Sequence, residues 1–253
     1  MSQSWINIEG ELVSLEETPL LLNELNIMPI FLRRFLEKKF TKEIIPTREE
    51  QTNYYQKFLK REKISDKDSL NNWLDFHGVS ESDMEINLYK SLKIEKFKND
   101  RFADNVETVF LKRKSDLDRV TYSLIRSKSR DKISELNMRL KEEEDTFSEL
   151  SSEYSEGIEN VLNGLNVLNG LIGPIEISKV NPVIAERLKA SKSGQLWPPF
   201  ECEGWWVLLR HERFIPATLN LEMRNRLINE LYEVWITSKI NEALKSLKES
   251  VKS

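Results

Sequence analysis

Apolar residues recur at helical spacing through most of the chain and at strand spacing in one block of it. Ile30, Phe31, Phe35, Leu36 and Phe40 trace one helical stripe, and Tyr54, Tyr55, Phe58 and Leu59 trace a second. Ser69, Leu70, Trp73, Leu74 and Phe76 predict a short helix that stops at Gly78, because glycine takes the left-handed turn after a helix without steric strain. Ser80, with Asp83 three residues on, predicts the next N-cap. Apolar positions from Met84 to Phe110 carry that helix, with room for a break, towards Leu117. No proline stands between Pro46 and Pro174, so nothing there interrupts long helices.

The pattern changes near Asp118. Val120-Thr121-Tyr122-Ser123-Leu124-Ile125 is β-branched and aromatic and predicts a strand. Ile133, Leu136 and Leu140 predict a helix, and Thr146 with Glu149 forms a capping-box pattern ahead of Phe147, Leu150 and Tyr154. Gly157, Gly164, Gly170 and Gly173 punctuate a loop, and Leu171 to Ile177 predicts a second strand. Asn181-Pro182 opens a helix carrying Ile184 and Leu188, which Gly194 ends. Gln195-Leu196-Trp197 and Trp205 to Leu209 predict two closing strands. A last helix begins after Pro216, with Leu227, Leu231, Trp235 and Ile236 on its apolar side. It needs a partner, and the first helical segment is the available one.

Composition narrows the function classes. Charged residues make up 32% of the 253, against about a quarter in an average protein, which suits long charged helices. A net charge of −4 leaves no basic excess for neutralising phosphates, so nucleic acid is not the expected partner. A single cysteine, Cys202, excludes an internal disulfide and a zinc cluster, and the two histidines, His77 and His211, are far apart. No metal or cofactor is expected. The stretch Met1 to Glu17 is acidic and lacks a basic n-region, and no apolar run approaches the roughly 20 residues that span a bilayer. The expectation is a cytoplasmic protein without membrane insertion.

Five local patterns, in order, resemble the parvulin (PpiC-type) peptidyl-prolyl isomerase domain. They are Phe147 to Ser155, Gly170-Leu171-Ile172-Gly173, Val180 to Ile184, Ser193 to Pro199, and Gly204-Trp205-Trp206-Val207-Leu208-Leu209. The helical flank Ser69 to Lys93 and the closing helix are similar to the chaperone part of SurA- and PrsA-type foldases. Phe110 to Lys114 resembles a stretch in a cytosolic cyanobacterial group of parvulin-like proteins. The resemblance implies an α+β, mostly helical protein: a parvulin-like antiparallel sheet with helices (118–215), inserted in a SurA-like helical chaperone domain (1–117 with 216–253).

Such isomerases carry two facing histidines. By the resemblance these positions fall at Ser123 and Trp206, and neither is histidine. The neighbouring Cys or Asp position falls near Gly157, and the polar positions before the last strand become Glu201 and Glu203. The implied substrate-binding set is Ile172, Val180, Ile184 and Trp206, an apolar pocket for a proline ring. Isomerisation breaks no covalent bond. It needs a twisted amide favoured over a planar one, against a barrier of roughly 18–20 kcal/mol.

Bland roles compete for several of these residues. His211 is expected at a strand end facing solvent, and His77 at a helix end where the dipole favours it. Strand alternation sends Trp205 and Trp206 to opposite faces, with Trp206 assigned either to peptide contact or to packing. Cys202 is placed in a polar loop where Glu201 and Glu203 raise its pKa, against a nucleophilic role. Two functions stay open: an unconventional prolyl isomerase, or a chaperone that binds unfolded or proline-containing polypeptide without catalysis. A coiled-coil adaptor is set aside because the 118–213 block is too varied in pattern.

Overall fold

The computed structural model describes residues 4–8, 11–14, 17–156 and 167–250. Gly157 and Gly164 lie outside them. The chain forms two compact units, one of residues 1–106 with 221–253, the other of residues 107–220.

The first unit is helical apart from a hairpin, β1 (Ser4–Ile8) and β2 (Glu11–Ser14), that hydrophobic patterning did not reveal. Its helices are α1 (Thr18–Glu24), α2 (Met28–Phe40), α3 (Arg48–Arg61), α4 (Lys67–His77), α5 (Glu81–Phe102) and the long α10 (Leu221–Ser250). Their ends are set by local chemistry. Thr47 and Glu50 bond reciprocally at the start of α3, Ser80 Oγ accepts from Asp83 N at 3.1 Å at the start of α5, and Gly78 closes α4 at φ +63°.

Helix α10 packs on α2 and α5, as its apolar side requires. Leu227 and Ile236 are fully buried, and Trp235 sits 4.8 Å from the ring of Phe40 and 5.3 Å from that of Phe97. Glu37 of α2 is buried in the same place. It accepts from Arg33 Nε at 3.0 Å, Arg34 at 3.2 Å and Tyr232 Oη at 3.2 Å. Burial and the Glu37 charge push the Tyr232 phenol far above its ordinary pKa.

Helix α6 (Val106–Leu117) follows α5 after a 3-10 turn at Ala103–Asn105, and all of it but Val106 belongs to the second unit. The break expected in the long helix falls at that turn. The unit then runs β3 (Arg119–Ser127), α7 (Arg130–Lys141), α8 (Phe147–Tyr154), β4 (Val167–Leu168), β5 (Leu171–Glu176), α9 (Pro182–Ala190), β6 (Phe200–Cys202) and β7 (Trp205–Ile215). All five sheet strands pair antiparallel in the order β4-β5-β3-β7-β6.

Glycine makes the β4–β5 corner possible. Gly170 (φ +79°) lies so close to Ser151 and the Leu124 carbonyl that a Cβ would collide with both. A Cβ on Gly173 (φ +114°) would meet Val120 O at 2.5 Å. Gln195 to Trp197 does not form a full strand. It runs briefly antiparallel beside β7, with the bridge Leu196–Arg210 flanked by His211 N donating to Gln195 O at 3.0 Å and Trp197 N donating to Leu209 O at 2.8 Å.

Candidate functional site

Strand β7 determines what the sheet offers on each side. It pairs with β3 so that Tyr122 opposes His211, Ser123 opposes Arg210, and Ser127 opposes Trp206. Alternation then sorts the side chains. Val120, Tyr122, Leu124, Val207 and Leu209 pack with Ile172, Val180, Ile184 and Leu188 beneath α9. Ile125 and Leu208 pack on the other side with Ile133, Leu136, Phe147 and Leu150 of α7 and α8.

Three members of the expected binding set, Ile172, Val180 and Ile184, are brought together on the α9 side. They are nearly fully buried, at 8%, 7% and 6% exposure, and so form the floor of that side rather than an open pocket. The fourth, Trp206, is not with them. It packs among the α7–α8 side chains, with the Arg130 guanidinium 5.0 Å from its ring centre. Its neighbour Trp205 is the tryptophan of the α9 side.

The two positions that the resemblance assigned to histidine do not face one another. Trp206 opposes Ser127, four residues from Ser123, which is about 13 Å along a strand. Ser123 Oγ donates to Glu212 Oε1 at 2.5 Å, and Arg210 Nε donates to the same oxygen at 2.7 Å while its guanidinium covers Phe147. Ser123 is therefore tied into polar contacts on the α7–α8 side.

His211 is buried, at 2% exposure, not solvent-facing. Strand β7 extends eleven residues, well past the point where a short closing strand would end, and carries His211 inward opposite Tyr122. Its Nδ1 lies 3.2 Å from the Ser191 carbonyl, and its buried Nε2 has no hydrogen-bond partner. His77 ends α4 as expected, with Nδ1 2.8 Å from the Trp73 carbonyl and its ring stacked on Trp73.

Cys202 is not in a loop. It ends β6, buried in the α9-side cluster, and its thiol donates to Asn181 Oδ1 at 3.4 Å. Burial pushes the Cys202 thiol up, and the Glu203 charge adds to the shift. The thiol is thus held protonated, unsuited to attack. Asn181 also caps α9 by accepting from Val183 N at 2.9 Å and donates to Glu203 at 2.7 Å. Glu203 and Gly204, both at positive φ, form the two-residue turn joining β6 to β7.

The accessible part of the α9 side is aromatic and cationic. Trp197, Phe200 and Trp205 are half-buried against the cluster. Lys128 Nζ stands 3.7 Å from the Trp205 ring centre and donates to Gly204 O at 2.9 Å, and the Arg187 guanidinium covers Phe200 at 3.8 Å. The cations lie over the rings, so this surface presents cation-capped aromatic side chains. The sequence pattern separates Trp205 from Trp206 by strand alternation, and the register places Trp205 with Phe200 on the α9 side and Trp206 on the other.

Residues 115–213 match the Rotamase family, described as the PPIC-type PPIASE domain. No curated protein matches the chain. Among solved structures, PrsA from Bacillus cereus is 15% identical, with 96% of this chain and 92% of that one covered and a TM-score of 0.46. The foldase protein PrsA from Streptococcus pneumoniae is 13% identical, with 97% and 94% covered and a TM-score of 0.42. A SurA-like chaperone from Campylobacter jejuni is 13% identical, with 95% and 94% covered and a TM-score of 0.31. The five-stranded unit, with its apolar floor beneath α9 and no histidine pair, is thus a PpiC-type (parvulin) rotamase domain over residues 115–213.

Proposed function

We propose that the protein is a foldase-type chaperone that holds unfolded or proline-containing polypeptide, its rotamase domain serving as a peptide-binding module rather than a histidine-based isomerase. The observation that carries this reading is the fate of the histidines. The chain has two, one in the helical unit and one sealed in the sheet, so none is available at an accessible face of the domain. The half-buried, cation-capped strip of Trp197, Phe200 and Trp205 remains as the candidate polypeptide-contact surface. In this proposal the helical unit (1–117 with 216–253, by the resemblance) is the chaperone body and the site of action is cytoplasmic, which cell fractionation tests.

A residual isomerase remains the second reading. The apolar floor of Ile172, Val180 and Ile184 could favour a twisted X-Pro bond by desolvation alone, and every tenfold in rate needs only about 1.4 kcal/mol. Isomerisation of short X-Pro peptides, measured alongside tryptophan-fluorescence binding, separates the two. Binding weakened by Trp205→Ala without rate acceleration is the expected result. Acceleration abolished by Trp205→Ala would establish the isomerase. Absence of both binding and acceleration would remove the domain from polypeptide handling.

A further inference from the structure

The outer faces of α1 and α2 are apolar where surface helices are ordinarily polar. Leu20 is 61% exposed, Ile30 60%, Phe35 55% and Phe31 48%, and Leu25 and Ile27 at the corner between the helices are exposed as well. Single exposed apolar side chains are common on any protein, but a contiguous group marks an interaction site. The corner is firmly built. Asn26 turns the chain at φ +57°, Ile27 N donates to Leu22 O at 2.8 Å, and Phe31 N donates to Ile27 O at 2.9 Å. The Phe31 and Phe35 rings stack 6.3 Å apart. Folding does not require this face, because α2 already commits Met28, Leu32 and Leu36 to the core.

Charge on α2 is segregated in a way that names the partner. Arg34, Lys38, Lys39 and the following Lys42 are exposed, while the one acid of the helix, Glu37, is turned inward, paired with Arg33 and Arg34 and hydrogen-bonded by Tyr232. The exposed acids nearby are Glu17 before α1, Glu24 on α1, Glu43 at 4.0 Å from Lys42, and Glu233, which pairs with Arg33 at 2.6 Å and leaves Lys38 and Lys39 to the outer face. The helix dipole accounts for cations in the last turn. It does not account for apolar side chains at 27, 30, 31 and 35 on the same outward side. An apolar stripe interleaved with cations is the pattern of a helix lying in a membrane interface.

We propose that α1 and α2 seat the protein peripherally on an anionic lipid surface, with Ile30, Phe31 and Phe35 at the acyl boundary and Lys38, Lys39 and Lys42 among the headgroup phosphates. A cytoplasmic leaflet carries such a negative potential. The seating is superficial, since no described helix is long and apolar enough to cross a membrane. A peptide occupant fits less well. None of Leu20, Ile30, Phe31 or Phe35 lines the cavities described in the helical unit, about 260 Å³ beside Tyr54, Tyr55 and Tyr89 and about 380 Å³ beside Glu37, Lys98 and Asn225, and a peptide needs a groove where a bilayer supplies its own depth.

Co-sedimentation of the full chain with phosphatidylcholine vesicles, with and without phosphatidylglycerol, tests the proposal. The expected result is retention on the anionic vesicles only. Added salt, Lys38→Glu with Lys39→Glu, or Phe31→Ser with Phe35→Ser should each weaken it roughly tenfold. All four side chains are exposed, so circular dichroism and thermal melting of the variants should match the parent. No retention, or retention indifferent to both double variants, would overturn the proposal. So would a dimer in sedimentation velocity that Phe31→Ser with Phe35→Ser dissolves, which would assign the face to a second copy. Loss of denatured-polypeptide binding in that variant without vesicle retention would assign it to clients instead.

Discussion

Trp205 and Trp206 are neighbours on one strand and belong to different parts of the rotamase domain. Trp206 joins the packing beneath α7 and α8, where Ile125, Ile133 and Leu208 are fully buried. Trp205 lies at the edge of the α9 side, half-buried and flanked by Lys128 and Arg126. Both rings are half-buried, so the difference lies in which cluster each one joins and which neighbours it meets, not in one being sealed and the other open. Residue type alone does not separate the two tryptophans, since pleating and register decide.

The largest effects should come from the shared centre, where the two sides do not differ. Leu208→Ala and Leu209→Ala each remove a side chain with no exposed surface, one on each side of the sheet. Each should lower stability in urea melts by about 2–5 kcal/mol. A marked inequality between them would show that one helical cover is far looser than the other.

The tryptophans should then part company. Trp206→Ala is expected to cost about 2–3 kcal/mol of stability and leave peptide affinity nearly unchanged. Trp205 is half-buried like Trp206, so Trp205→Ala should cost a similar amount of stability but weaken peptide binding roughly tenfold. Reversed outcomes in fluorescence titrations would break the comparison and restore Trp206 to the binding side.

A smaller effect probes the cover on the Trp206 side. Thr146 Oγ1 accepts from Glu149 N at 3.3 Å and Glu149 answers to Thr146 N at 2.9 Å, holding the first turn of α8. Thr146→Ala should lower stability by about 1 kcal/mol without touching peptide binding.

The smallest is a pH effect at the end of β3. Ser127 Oγ and Lys128 N donate to Glu156 at 2.5 and 3.0 Å, and these hydrogen bonds hold its carboxyl below the ordinary carboxylate range. A depressed folded-state pKa contributes stability that is present above the unfolded value of about 4.3 and lost as pH falls through the folded value. Glu156→Gln should therefore flatten the acid limb of the stability-versus-pH curve and change little near neutrality.

Much of this fold was legible because its elements begin and end on local chemistry. Gly78, Ser80, Thr146 with Glu149, and Asn181-Pro182 each act within a few residues of themselves, and each does in the structure what its sequence implies. The antiparallel sheet with its helices was legible from element order and the parvulin-like patterns. The length of β7 was not. Its last residues, from Arg210 to Ile215, are largely polar or charged and become strand through pairing with β3, which no local pattern records. The burial of His211 and the gap between Ser123 and Trp206 follow from that pairing. The hairpin of β1 and β2 was not legible either, because its strands are too short to show a period.

Along the chain, the sequence by itself determined the helices, their caps and the absence of histidine at positions 123 and 206, since these depend on residue identity and near neighbours. Tertiary structure alone decided which side of the sheet each tryptophan joins, where Cys202 and His211 are sealed, and how buried Glu37 receives a hydrogen bond from Tyr232 nearly two hundred residues away. Those outcomes depend on strand register and helix packing, which are settled by contacts between residues distant in sequence, where a shift of one position reverses every side chain in a strand.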